Sequence, residues 1–167
     1  MSGGNKPQDY IHQPRRDRLY EERVQDPYQA REKWKEPTVC PDCNAFYHKG
    51  HWQWGNSPDG AHQRRCPACA RIHDKVPAGF LTLQGDFLAG HHDEILHLIR
   101  NHEAKEKNQH PLERIMSIDE QEGVVTVQFT GSHLAQGTGE AIHNAYQGEL
   151  EIQFNDKDAQ IHVNWSR

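Results

Sequence analysis

The residues best equipped for chemistry are four cysteines, the full complement of the chain, placed as Cys40-Pro-Asp-Cys43 and Cys66-Pro-Ala-Cys69. Two Cys-x-x-Cys pairs flanking a loop of about twenty residues match the spacing in which each pair forms a tight knuckle and four thiolates close a tetrahedron round one ion. The spacing predicts a single zinc ion held by Cys40, Cys43, Cys66 and Cys69. Four protein ligands leave no coordination position for water or substrate, so the ion would be structural rather than catalytic. A rubredoxin-like iron site, disulfides and free thiols are the other states open to the same cysteines.

Each knuckle has its own local chemistry. Pro41 and Pro67 follow the first cysteine of their pairs and fix φ where the chain turns. After the second cysteine the turn wants a residue tolerant of positive φ, which Asn44 supplies and Ala70 supplies poorly. A strained or differently turned second knuckle is therefore expected.

Basic and aromatic residues surround these ligands. Tyr47, Trp52 and Trp54 lie between the knuckles, and Lys49, Arg64, Arg65 and Arg71 lie beside them. Stacking faces next to cations suit single-stranded or looped RNA. The same aromatics would equally serve to cover the thiolates and pack on a neighbouring domain, because a small metal module has little core of its own. Upstream, Arg15, Arg16, Arg18, Tyr20, Arg23, Tyr28, Arg31 and Trp34 interleave in a charged segment cut by Pro27 and Pro37. Residues 1–37 read as a mobile arm, with acidic residues mixed among the basic ones.

Composition narrows the function classes. The chain has 167 residues, room for a metal module plus a domain of under about a hundred. Residues 1–78 hold 13 Lys/Arg against 10 Asp/Glu, and residues 79–167 hold 6 against 14, so net charges of +3 and −8 make up the total of −5. A basic front suits an anionic partner and an acidic back suits a protein partner, although a solvated charge mixture accounts for the same numbers. No apolar run is long enough for a membrane, and the polar N-terminus lacks a signal-peptide profile, which points to a soluble cytoplasmic protein that keeps its thiols reduced. Neither a phosphate-binding loop, a nucleophile elbow, a His-Glu-x-x-His motif nor a dinucleotide fingerprint occurs, so no enzyme is expected. His91, His92, Asp93 and His97 crowd one helix and read as surface residues rather than as a second metal site.

The elements that must hold the cysteines follow from periodicity. Residues 38–78 are assigned to a zinc ribbon and residues 79–167 to a split βαβ domain. In the latter, Gly79–Gly85 is a strand, and residues 88–107 place Leu88, His92, Ile95, Leu96 and Ile99 on one helical face. Strands over Arg114–Asp119 and Val124–Thr130 are joined by a hairpin turn through Gly123. Ser132 caps a helix reaching Tyr146, and alternation marks the strands around Leu150–Phe154 and Ile161–Trp165. The expected fold is α+β: an N-terminal zinc ribbon, then a ferredoxin-like βαββαβ sandwich on an antiparallel sheet with an added C-terminal strand. No aromatic residue is expected on the open face of its central strands, which excludes base stacking of the RNA-recognition-motif kind.

Cys66-Pro-Ala-Cys69-Ala-Arg71, Gly79-Phe-Leu-Thr-Leu-Gln-Gly85, Glu113-Arg-Ile, Gly123–Phe129, Thr130-Gly-Ser-His-Leu-Ala135 and the Gly148–Phe154 strand together resemble the nonsense-mediated-decay-three family, zinc-ribbon adaptors of the large ribosomal subunit. The likeness spans about residues 38–155. With one ribbon where that family has more cysteine pairs, the chain looks like a small bacterial relative, similar to short zinc-ribbon proteins of low-oxygen and stress gene clusters. The resemblance implies association with ribosomal RNA or the large ribosomal subunit and carries over no catalytic residue.

Overall fold

The computed structural model describes Tyr28 and residues 34–167. Apart from Tyr28 and residues 34–37, the arm expected over residues 1–37 lies outside the described residues.

The cysteine-bearing part forms a small sheet of very short strands: β1 (Thr38–Val39), β2 (Phe46–His48), β3 (His51–Gln53) and β4 (His62–Gln63), in the order β3-β2-β1-β4. The first three pair antiparallel, and β4 joins β1 in parallel. Helix α1 (Pro67–Asp74) follows directly from Cys66, with Pro67 at the first helical position, where its missing N–H costs nothing.

The second part is a five-stranded sheet built from β5 (Gly79–Gln84), β6 (Ile115–Gln121), β7 (Val124–Phe129), β8 (Glu149–Asn155) and β9 (Gln160–Ser166). Helices α2 (Asp86–Gly90), α3 (His92–Gln109) and α4 (Ser132–Tyr146) connect them. The helix expected over 88–107 is thus two helices, broken at His91, while Ser132–Tyr146 forms as the spacing predicts.

The strand order is β6-β7-β5-β9-β8. The first half obeys the split βαβ pattern, with β7 antiparallel to β5 on one side and to β6 on the other. The second half departs from expectation. The last strand, β9, lies between β5 and β8 and pairs parallel with β5, so the sheet is mixed rather than antiparallel throughout, and the added strand is central rather than at the edge. The cause is visible in composition. Ile161, Val163 and Trp165 are the stronger apolar set and are buried, whereas Glu149, Glu151 and Gln153 suit the exposed edge taken by β8.

Alternation sends Leu81, Leu83, Val125, Val127, Phe129, Ile161, Val163 and Trp165 to one face, where they meet Leu88, Ile95, Ile99, Leu134 and Ile142 from the helices. Each such side chain contributes roughly 1.5–3 kcal/mol on burial, so this core supports the large sheet without a metal. The opposite face is polar, but it does carry aromatic rings on central strands. Phe80 of β5 and His162 of β9 are neighbours in register and stack at 4.8 Å with 7° between their planes. The expectation that none would be there is corrected: Phe80 sits between buried Gly79 and Leu81, and only the strand's register shows which way it turns.

Gly131 precedes α4, and no side chain at residue 131 or 132 caps the helix; Glu113 instead reaches across from the other side of the β6–β7 hairpin, and its Oε2 accepts from the Leu134 N–H at 3.2 Å. A Cβ on residue 131 would run into that carboxylate, so a larger residue there would have to displace the Glu113 side chain.

Candidate metal centre

The two knuckles bring the four sulfurs within 4.8 Å of one another, with Cys43 Sγ and Cys66 Sγ 3.9 Å apart. A zinc–sulfur bond of about 2.3 Å in a tetrahedron sets sulfurs about 3.8 Å from each other, so the spacing suits one ion. No pair is joined as a disulfide; Cys40, Cys66 and Cys69 are buried and Cys43 is half-buried.

The first knuckle turns through Asn44, whose N–H donates to the Cys40 carbonyl at 2.9 Å and whose φ is 65°, as its side chain tolerates. The second knuckle needs no such residue. Cys66 caps α1, its sulfur accepting from the Cys69 N–H at 3.3 Å, and Ala70 continues the helix by donating to the Cys66 carbonyl at 2.9 Å. The strain expected at Ala70 is therefore absent, because a helix start replaces the turn. The Cys69 N–H of that first turn thus points at a sulfur, and the helix dipole favours negative charge there.

The residue that sequence reasoning missed is Arg114. It is 7% exposed and comes from the segment leading into β6, yet its guanidinium enters the cysteine cluster. Nη1 donates to Cys69 Sγ at 3.1 Å, and Nη2 to Cys43 Sγ at 3.1 Å and Cys66 Sγ at 3.7 Å. Nε donates to the Pro111 carbonyl at 2.8 Å, which fixes the fork. Thr130 locks the same segment, since its Oγ1 accepts from the Arg114 N–H at 2.9 Å and donates to the Leu112 carbonyl at 2.6 Å. Sequence separations of 45 to 71 residues hide these contacts from any local pattern. The signal available was an arginine at the entrance of a predicted strand.

The sulfurs and Arg114 shift one another's proton affinities: a hydrogen bond from Cys66, then contacts with the Ala45 backbone and Arg114, pull the Cys43 thiol down to about 4. The hydrogen bond to Cys43 and then burial push the Cys66 thiol up, and burial raises Cys69 against the pull of Arg114. Burial works to lower the Arg114 guanidinium, but its bonds to Cys69 and Cys43 raise it overall. Sulfurs this close compete for protons and for the Arg114 guanidinium, and a dication shared among them would relieve that competition.

Tyr47 and Trp52 face each other across β2 and β3 and, with Trp34, form an aromatic cluster whose centroids lie 5.2–6.2 Å apart. Arg64 is exposed and lies over the Trp34 ring at 4.4 Å. Arg65 is exposed and paired with Asp42 at 2.5 Å, tying one knuckle to the other. Lys49 is exposed at the β2–β3 turn. Trp54 turns to the large sheet's side, where its Nε1–H donates to the Lys107 carbonyl at 2.8 Å and its ring centroid is 5.8 Å from Arg114. Arg71 is not on the surface expected for it: at 5% exposure it donates to the Val76 carbonyl at 3.0 Å and stacks over Tyr28. Lys49, Arg64 and Arg65 thus remain as exposed cations of the small sheet, and the aromatics are mostly engaged with one another.

Among the described residues the four cysteines are the only group of three or more metal-ligating side chains close enough to share an ion, and His91, His92, Asp93 and His97 do not form one. Instead His92 bonds to Asp93 and Glu120. No described helix is long and apolar enough to cross a membrane. A scan against protein-family models and searches of curated proteins and of solved structures each find no match to this chain.

Proposed function

We propose that the chain is a non-catalytic zinc protein whose Cys40/Cys43/Cys66/Cys69 centre is structural, a zinc ribbon that fixes the small sheet for docking on a protein partner. The observation that carries this reading is the closed set of four sulfurs roofed by the Arg114 guanidinium. Such a centre has no open coordination position, so it supports a shape rather than a reaction. Zinc is taken over iron because closed four-cysteine sites of this spacing are the usual setting of structural zinc. Elemental analysis of the native protein should return about one zinc per chain and a colourless solution. Visible absorbance with iron in that stoichiometry would overturn the assignment.

A second reading keeps RNA as the partner. Lys49, Arg64 and Arg65 favour it, because they are exposed cations on or beside the small sheet, and the likeness to ribosome adaptors supplies the large ribosomal subunit as the target. The engagement of Trp52 and Trp54 and the burial of Arg71 favour the protein partner, since few stacking faces are left for bases. Binding to single-stranded RNA, lost together on adding salt and on making the Arg64→Glu/Arg65→Glu variant, would establish the second reading over the first. Absence of binding at low salt by the zinc-loaded protein would leave the protein-docking reading standing.

A further inference from the structure

We propose that Arg114 is a positioning residue of the metal centre, a fifth member that sets its charge and its hold on the ion. The inference rests on the zinc reading and goes beyond it, from which residues ligate to which residue keeps the ligands in place. Four thiolates about a dication carry a net charge of −2. A buried site of that charge is costly unless it is paired and hydrogen-bonded, and Arg114 supplies both by bonding three of the four sulfurs. The guanidinium reduces the local charge to −1 and reaches two ligands of the second knuckle and one of the first, so it spans the two halves of the tetrahedron.

The fork is preorganised to do this. Its Nε is held by Pro111, its backbone by Thr130, and the segment before it by the Leu112 side chain, which packs on the cysteine cluster. Ile115, next in the chain, donates its N–H to Glu103 of α3. The centre is consequently not a property of the small sheet alone, for one of its members belongs to the large one. Hydrogen bonds to thiolate sulfur also lower the energy of the sulfur lone pairs, which makes the ligands poorer nucleophiles and slower to release the ion.

Cobalt substitution and zinc transfer test the proposal on the full chain. In wild type, Arg114→Gln and Arg114→Lys, the zinc content is measured first, then the rate of zinc transfer to a chromogenic chelator, and then the sulfur-to-cobalt charge-transfer band of the Co(II) form. Arg114→Gln is expected to weaken metal retention by about 10–100-fold and to move the charge-transfer band to lower energy, as sulfur lone pairs are released from the guanidinium. Arg114→Lys keeps a charge without the fork and should fall between the two. A merely structural role for Arg114 would leave the band of the folded variants in place. Should Arg114→Gln fail to fold, Arg114→Lys decides by the same band. Unchanged transfer rate and unchanged band, with one zinc bound in wild type, would overturn this inference and leave the structural zinc reading intact; absence of zinc from wild type would remove both.

Discussion

Stripping the metal should unfold one part of the molecule and spare the other. The strands of the small sheet are two or three residues long, and apart from the cysteines its buried apolar side chains amount to Ala45, Phe46, Trp52 and Ala68. A module of about forty residues with so little core does not hold itself together without a staple. Structural zinc supplies about 10–16 kcal/mol of apparent binding free energy in small modules, far more than this cluster can replace. The large sheet has its own core and keeps it. The tryptophans separate the two responses: Trp34, Trp52 and Trp54 belong to the small sheet and its flank, whereas Trp165 is 1% exposed in the main core with its Nε1–H bonded to the Gln147 carbonyl at 2.7 Å. Removal of zinc by a chelator should therefore shift the tryptophan emission to the red while the far-ultraviolet signal of α3 and α4 persists. Readdition of one equivalent of zinc should reverse the shift, and free zinc at a hundred times Kd should add about 2.7 kcal/mol to the stability of the small sheet. Unchanged emission after complete demetallation, or loss of the helical signal in the same step, would refute the reasoning.

Other expectations concern single side chains. Trp54→Phe should lower the denaturant midpoint by the equivalent of about 1 kcal/mol, since it removes the bond to the Lys107 carbonyl that joins the two parts. Two glycines of α4 should respond with opposite signs: a Cβ at 137 meets only the tip of the His102 ring at 3.2 Å, so Gly137→Ala should gain up to about 1 kcal/mol of helix propensity. A Cβ at 139 would lie 2.5 Å from Val163 Cγ1 on the sheet, and Gly139→Ala should lose about 1–2 kcal/mol in thermal unfolding after that propensity gain is counted. Burial holds the Glu113 carboxyl above its usual range against the pull of His133 and the Leu134 N–H. A raised carboxyl stabilises the fold fully below its unfolded value, near ~4.3, and the contribution is lost as pH rises through the folded one. Glu113→Gln, which keeps an acceptor for Leu134, should thus be more stable than wild type at neutral pH and converge with it in acid; a lower neutral-pH Tm for the variant would contradict this.

The cysteine centre was legible because ligand spacing is a local property, and so were Ser132–Tyr146 and the Val124–Phe129 strand, whose periodicities are complete within themselves. What escaped was non-local. Nothing near Arg114 indicates that three sulfurs await it, and nothing in Gln160–Ser166 announces a parallel partner some eighty residues earlier. The caps illustrate the same divide. Ser132 has the right chemistry for an N-cap, but Glu113 arrives from another element and takes the bond. Cys66 does cap a helix, with its sulfur, a role that ligand spacing does not reveal.

The central place of β9 has a consequence for how the molecule is assembled during synthesis. β8 has no neighbour in the sheet except β9, so until residues 160–166 leave the ribosome it has nothing to pair with, and β5 must wait with one flank bare. The cysteines emerge about ninety residues earlier and can meet their ion before that sheet exists. Arg114 comes out between these events, so an ion bound that early would be gripped by sulfurs alone and would receive its counter-cation only afterwards. A nascent chain stalled short of β9 would then hold metal on a finished head above an incomplete body, with the apolar flank of β5 open to chaperones.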